Sequence, residues 1–149
     1  MGSQEFTVLL AEDDDGHALL VRKNLERAGC SGPIVRFRDG QEVLDYLHRG
    51  PERSETPPGQ VLLLLDIHMP RASGLDVLKS LKENPATARI PVIMLTTTDN
   101  PREIAYCYEL GCNIYVTKPV VYEQFVEAIA RLGMFLQVIR VPCKSDAAC

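Results

Sequence analysis

The sequence has no basic run, no apolar segment of the ~18 residues that a membrane-spanning helix needs, and no apolar stretch of the signal-peptide type near its start. Lys and Arg are scattered along the chain, and the formal net charge of -4 argues against a general nucleic-acid surface. These absences predict a cytoplasmic protein that binds neither nucleic acid nor a membrane.

Metal-binding cysteine motifs are missing as well. The five cysteines form no CxxC pair, and no histidine stands at metal spacing from them. Reduced thiols in a cytosolic protein are therefore expected. Cys143 and Cys149, close to the end of the sequence, could oxidise in vitro.

One strongly apolar stretch ends at an acid. Val61–Leu65 runs without alternation into Asp66, and Met69-Pro70 makes a turn soon afterwards. An apolar run of this kind is typical of a central strand that is buried on both faces of a parallel sheet. Asp66 then stands at the carboxyl end of that strand, where open α/β sheets place their ligands. A carboxylate there is a candidate metal ligand or nucleophile.

Short apolar segments alternate with stretches of helical periodicity along the whole chain. The predicted strands are Thr7–Ala11, Ile34–Phe37, Val61–Leu65, Pro91–Leu95 and Ile114–Thr117. This alternation predicts one α/β domain with a parallel sheet and helices on both faces, in the doubly wound strand order 2-1-3-4-5. The second strand is interrupted by a charged residue and is expected near an edge. Pro and Gly in the segment 50–60 predict a long loop, either a partner surface or a tolerated insertion.

Polar side chains follow the carboxyl ends of four of these strands. Glu12 and Asp13 follow the first strand, Asp66 the third, Thr96 the fourth and Lys118 the fifth. These ends face one crevice, so three carboxylates are expected to converge, and a cation among them would relieve their repulsion. An all-oxygen ligand set favours Mg²⁺ over zinc or copper. An ammonium and a hydroxyl are suitable partners for a phosphoryl oxygen, so the pattern predicts an aspartyl phosphate at Asp66.

This set of residues resembles the receiver domain of two-component response regulators. The resemblance covers residues 7–136 and is carried by the acidic pair after the first strand, by Asp66 before Met69-Pro70, and by Thr96 and Lys118 at the family's spacing. It implies a flavodoxin-like fold and a phosphoacceptor signalling protein that is not an enzyme, with slow self-catalysed dephosphorylation.

The resemblance also implies how the group is received. Asp66 would take the phosphoryl group from a phosphohistidine on a sensor histidine kinase. Lys118 would pair with Asp66 and then with the phosphoryl group. Thr96 would move its hydroxyl to a phosphoryl oxygen, and Tyr115 would be the aromatic switch whose rotamer follows Thr96. A local charge would thereby bias a two-state element made of the fourth helix, fifth strand and fifth helix.

The metal ligands follow from the same resemblance. Asp13 and Asp66 would ligate Mg²⁺ directly, Glu12 directly or through water, and His68 through its backbone carbonyl.

The side chains of His68 and Thr98 are expected to tune the lifetime of the acyl phosphate, in a direction that the sequence leaves open.

The sequence divides into residues 1–6, an N-terminal extension of the kind that cloning adds, a receiver domain over 7–136, and a C-terminal extension over 137–149. No helix-turn-helix follows, which predicts a single-domain regulator. The extension stays apolar, which predicts either a homodimer contact or a tail that folds back onto its own domain. The long loop, Lys118-Pro119-Val120 and the apolar tail are similar to regulators that partner bacterial phytochromes, which implies a light-sensing kinase.

Two other functions fit the sequence less well. A phosphatase with Asp66 as nucleophile would need a second catalytic aspartate close behind it, but Asp76 is placed inside the third helix. A flavin-binding module would need a loop rich in Ser, Thr and Gly after the first strand, where this sequence is acidic. Within the signalling function, a messenger, a phosphate sink and an intermediate phosphorelay receiver all remain open.

Overall fold

The structure is a computed structural model that describes residues 6–30, 32–48, 60–139 and 141. Within these residues the strands β1 to β5 are Thr7–Ala11, Ile34–Phe37, Val61–Leu65, Val92–Thr96 and Ile114–Thr117. The helices α1 to α5 are Asp15–Arg27, Gly40–Leu47, Gly74–Glu83, Pro101–Leu110 and Tyr122–Leu136. The predicted alternation is confirmed. One boundary differs, because Thr96 is the last residue of β4 and not the first residue after it.

All five strands are parallel and lie in the order β2-β1-β3-β4-β5. The doubly wound topology and the edge position of β2 are therefore confirmed. Ala11 of β1 pairs with Leu65 of β3, and Leu65 pairs with Met94 of β4. Because of this register, the chain leaves the three inner strands at one edge of the sheet. The residues that follow β1 and β3 are brought side by side there.

The sheet lies between two apolar layers. Leu63 and Leu65 of β3 belong to the layer that includes side chains of α2, α3 and α4, whereas Leu62 and Leu64 belong to the layer with side chains of α1 and α5. Every residue of β3 is at most 1% exposed. Complete burial of one Leu side chain contributes about 1.5–3 kcal/mol. Asp66 therefore follows directly on a strand that is held in place by packing on both faces.

Capping side chains fix the start of α1 and α3, the helices that follow the acidic residues after β1 and β3. Asp14 accepts the N–H of His17 at 2.9 Å and caps α1. Ser73 and Asp76 form a reciprocal capping box at the start of α3. Each cap satisfies N–H groups that lack an intrahelical partner, so both chain segments that leave the acidic edge are held in place.

The apolar end of α5 and the first residues of the extension that follows it divide between the surface and the core. Met134, Phe135 and Val138 are exposed, whereas Ile139 and Val141 pack against the apolar layer of α1 and α5. Part of the extension therefore folds back onto its own domain, and part of it stays on the surface.

Several predicted features lie outside the described residues: segment 1–5, loop residues 50–59, and Cys143 and Cys149 in segment 142–149. The three cysteines that the structure does describe, Cys30, Cys107 and Cys112, are free thiols. None of the described helices combines the length and the apolar character needed to cross a bilayer.

Candidate functional site

The structure brings the predicted acidic side chains together at the carboxyl edge of the sheet. One carboxylate oxygen from each of Glu12, Asp13 and Asp66 lies within 4.8 Å of the others. Glu12 and Asp66 are buried, and Asp13 is exposed. Lys118 Nζ donates to Asp66 Oδ2 at 3.1 Å and also to Glu12 Oε1. One buried ammonium thus lies between two buried carboxylates.

The partners of Lys118 explain how a charge can be buried here. Its side chain is 2% exposed, and a buried charge is tolerated when it is paired and hydrogen-bonded. Besides Glu12 and Asp66, Lys118 Nζ contacts Nδ1 of His17 at 3.3 Å. Sequence reasoning missed His17. The sequence did place His17 in the first turn of the helix that follows the acidic pair. That position alone does not predict the direction of the ring.

Both the side chain and the backbone of Glu12 accept hydrogen bonds. Its Oε2 accepts the N–H of Asp14 at 3.1 Å, and its backbone carbonyl accepts Nε and Nη2 of Arg36 at 3.0 and 2.7 Å. Burial raises the pKa of Glu12, although the hydrogen bond from Lys118 opposes that shift. The charged form of Glu12 is therefore favoured by the ammonium of Lys118 and disfavoured by burial.

The turn after Asp66 depends on a close backbone approach. A Cβ at position 74 would lie 2.1 Å from the carbonyl oxygen of Asp66, so a glycine is required there. The N–H of Gly74 donates to the carbonyl of Ile67 at 2.8 Å, which closes the turn. The N–H of His68 lies 3.3 Å from Asp66 Oδ1. The turn thus fixes the backbone that follows the candidate acceptor and places one N–H near its carboxylate.

Thr96 carries an unusual hydroxyl. The residue is 0% exposed, and within the described part of the chain its Oγ1 has no hydrogen-bond partner. Its carbonyl accepts the backbone N–H of Lys118 at 2.7 Å, so the ends of β4 and β5 are tied together. A buried polar atom without a partner is costly and is often explained by a functional role.

Tyr115 lies in β5 and packs against the apolar layer of α2, α3 and α4. Its hydroxyl donates to the carbonyl of Thr98 at 2.6 Å, and its backbone N–H donates to the hydroxyl of Tyr108 at 3.0 Å. Burial raises the pKa of Tyr115 to about 12. Oγ1 of Thr98 also lies 2.9 Å from Nε2 of His68. The loop after β4 is therefore bonded to the candidate switch ring and to the turn after Asp66.

The cluster of Glu12, Asp13 and Asp66 fits a hard divalent cation. All three donors are carboxylate oxygens, which Mg²⁺ and Mn²⁺ accept, and they lie close enough together to share one ion. The predicted contribution of the His68 carbonyl remains a prediction.

Fold and site together define a doubly wound α/β protein with an acidic cluster that fits a divalent cation and a buried lysine at the carboxyl ends of its strands. The response regulator receiver domain matches residues 8–130 of the sequence. The chain belongs to this family.

Similar proteins resemble the chain over nearly their whole lengths. Response regulator Rcp1 from Synechocystis sp. is 32% identical over 136 residues, which are 91% of this chain and 92% of Rcp1. Its Mn(2+)-bound crystal structure matches with a TM-score of 0.83 and 31% identity, over 92% of this chain and 99% of that one. A response regulator receiver domain from Rhodospirillum rubrum matches with a TM-score of 0.85 and 49% identity, over 91% of this chain and 96% of that one. The phosphorylated cyanobacterial phytochrome response regulator RcpA matches with a TM-score of 0.81 and 29% identity, over 93% and 99%.

Proposed function

We propose that this response regulator accepts a phosphoryl group on Asp66 from a phosphohistidine of a sensor histidine kinase and signals by a conformational switch. The hydroxyl of Thr96 carries the proposal, since it is buried and has no hydrogen-bond partner among the described residues. The backbone of Thr96 is bonded to that of Lys118, whose side chain pairs with Asp66. A phosphoryl group would bring three acceptor oxygens and about -1.5 to -2 charges to this place. It would give Thr96 the partner that it lacks.

The transfer needs a nucleophile and charge neutralisation. An oxygen of Asp66 would attack phosphorus, the P–N bond to the imidazole would break, and the electron pair of that bond would return to the leaving nitrogen. Lys118, 3.1 Å from Asp66 Oδ2, would move one N–H to the incoming phosphoryl oxygen. Mg²⁺ held by Glu12, Asp13, Asp66 and the His68 carbonyl would neutralise charge on the phosphoryl group when it is bound.

The contacts of Tyr115 support the switch. Thr96 would move towards Asp66 to reach a phosphoryl oxygen, and Thr98 lies two residues further on, in the loop after β4. Because the hydroxyl of Tyr115 is bonded to the carbonyl of Thr98, a shift of this loop would change the position of the ring. The surface of α4, β5 and α5 would then report whether Asp66 carries the group. The acyl phosphate would be lost slowly by hydrolysis without making the chain an enzyme for a separate substrate.

The partners are proposed from the relatives and from the surface. RcpA is a phytochrome response regulator, which supports a light-sensing histidine kinase as the donor. We propose the cytoplasm as the location, where such a kinase domain would meet the receiver. Met134, Phe135 and Val138 leave an exposed apolar surface at the end of α5, which supports a homodimer. Light scattering of wild type and Phe135→Glu would test this. A wild-type monomer at high protein concentration would contradict the dimer.

The phosphorylation test uses acetyl phosphate with Mg²⁺ and measures intact mass. One phosphoryl adduct is expected in wild type and in the control Asp45→Asn, which changes an exposed acid of α2. No adduct is expected in Asp66→Asn or in wild type with EDTA. An adduct that persists in Asp66→Asn would place the acceptor elsewhere, and a wild type without an adduct would contradict the proposed function.

A further inference from the structure

The third contact of the Lys118 ammonium, to His17, has no role in the proposed phosphoryl transfer. An ammonium has three N–H donors, and Lys118 directs them to Glu12, Asp66 and His17. We propose that His17 is a placeholder acceptor, which holds the third N–H of Lys118 while Asp66 is unmodified and yields it to a phosphoryl oxygen. This inference rests on the proposed phosphorylation of Asp66.

Two elements fix the ring of His17 in this position. Its backbone N–H is bound by the capping carboxylate of Asp14, which anchors the first turn of α1. Its ring packs edge-on against Phe125 of α5, with centroids 5.5 Å apart and an interplanar angle of 70°. Phe125 is buried. Nδ1 is therefore directed at Lys118 by the cap of its own helix and by packing against α5.

The chemistry of the contact assigns the ring proton. A lysine ammonium can only donate, so Nδ1 of His17 must accept, and the neutral ring carries its proton on Nε2. The acceptor matters because the lysine side chain is 2% exposed. A buried N–H without an acceptor is costly, and His17 removes that cost in the unmodified protein.

Lys118 has three N–H groups, so a phosphoryl oxygen can bind it only by replacing one of the three present acceptors. Charge and distance indicate which acceptor is replaced. Glu12 and Asp66 are carboxylates, and hydrogen bonds between ionised partners are the stronger ones. His17 is the uncharged acceptor, and its 3.3 Å contact is longer than the 3.1 Å contact to Asp66. A phosphoryl oxygen carries negative charge. The contact from Lys118 to His17 is therefore the one that a phosphoryl group replaces.

The test compares two replacements of His17 for their affinity towards beryllofluoride, an acyl phosphate analogue, in the presence of Mg²⁺. His17→Asn keeps an acceptor oxygen near the position of Nδ1. His17→Leu keeps an apolar contact with Phe125 but has no acceptor. The unmodified leucine variant leaves one N–H of Lys118 unpartnered, and the beryllofluoride adduct supplies the missing acceptor. Titration calorimetry should give His17→Leu about tenfold tighter binding than wild type, which is ~1.4 kcal/mol, and His17→Asn close to wild type.

Two further measurements separate this role from simple packing. In wild type, the ¹⁵N signal of Nδ1 of His17 should shift when beryllofluoride is added. His48→Leu, which replaces an exposed histidine at the end of α2, should bind beryllofluoride like wild type. Equal or weaker binding by His17→Leu, or an unchanged Nδ1 signal in wild type, would overturn the placeholder role. A wild type that binds no beryllofluoride would refute the proposed function instead, so the two failures are distinguishable.

Discussion

Replacing Lys118 by methionine should destabilise the protein, because it leaves two buried carboxylates of the site to repel each other. Glu12 and Asp66 would then be buried beside each other without the ammonium that lies between them. Removing one partner of a buried ion pair typically costs about 3–5 kcal/mol. For a domain of this size 1 kcal/mol lowers Tm by about 2–4 °C. The expected loss is roughly 10 °C at neutral pH without a metal ion.

The loss should depend on pH in a definite direction. Burial already raises the pKa of Glu12, and removal of the opposing hydrogen bond from Lys118 should raise it further. A carboxyl with a raised folded-state pKa stabilises the fold fully below its unfolded pKa, and that contribution is lost as pH rises through the folded pKa. The Tm difference between wild type and Lys118→Met should therefore be smallest near about pH 4 and largest near about pH 8.

Thermal unfolding followed by circular dichroism measures this directly. Lys79→Met, a replacement of an exposed lysine on α3, controls for the loss of a charge and should keep Tm close to wild type. At about pH 8, Mg²⁺ should recover more Tm in Lys118→Met than in wild type, because it supplies the missing positive charge. A Tm loss that is the same at both pH values and is insensitive to Mg²⁺ would refute the electrostatic reasoning.

Three other replacements test neighbouring parts of the site. Thr96→Val removes a buried hydroxyl that has no partner in the described part of the chain, so it should stabilise the unmodified protein by about 1 kcal/mol in urea unfolding. The Tm gain from beryllofluoride should shrink, and a loss of stability would mean that the hydroxyl is satisfied. Tyr115→Phe deletes the bond to the carbonyl of Thr98 and should cost about 0.5–1.5 kcal/mol in the same assay, whereas an unchanged midpoint would show that this bond is weak. Gly74→Ala places a Cβ 2.1 Å from the Asp66 carbonyl and should lower Tm and slow phosphorylation by acetyl phosphate, and wild-type values for both would contradict the close approach.

The fold could be predicted because its determinants are patterns along the chain. An unbroken apolar strand must be buried on both faces, and Val61–Leu65 is the central strand. The charged residue in Ile34–Phe37 indicated an edge strand, and β2 lies at an edge. The meeting of Glu12, Asp66 and Lys118 followed from the same patterns, since parallel strands with right-handed crossovers place their carboxyl ends at one edge.

The missed features depend on side-chain directions and not on periodicity. The charge of Arg36 indicated an edge strand. Its guanidinium also binds the carbonyl of Glu12, which follows the neighbouring strand β1. His17 had no sequence signal for its contact with Lys118, because that contact depends on the cap of α1 and on packing against Phe125. Contacts of this kind join elements that are distant in sequence. They can be predicted only when the packing of the helices on the sheet is known.

The site also explains why a cation and a phosphoryl group should bind together. A phosphoryl group alone adds negative charge to a cluster that already holds Glu12, Asp13 and Asp66. A cation alone neutralises the carboxylates but leaves the hydroxyl of Thr96 without an acceptor. With both bound, the added charge is compensated and Thr96 has a partner, so each should raise the affinity of the protein for the other by the same factor. Calorimetric titration of Mg²⁺ with and without beryllofluoride measures that factor, and equal Mg²⁺ affinities in the two titrations would show that the cluster and the acceptor oxygen of Asp66 act independently.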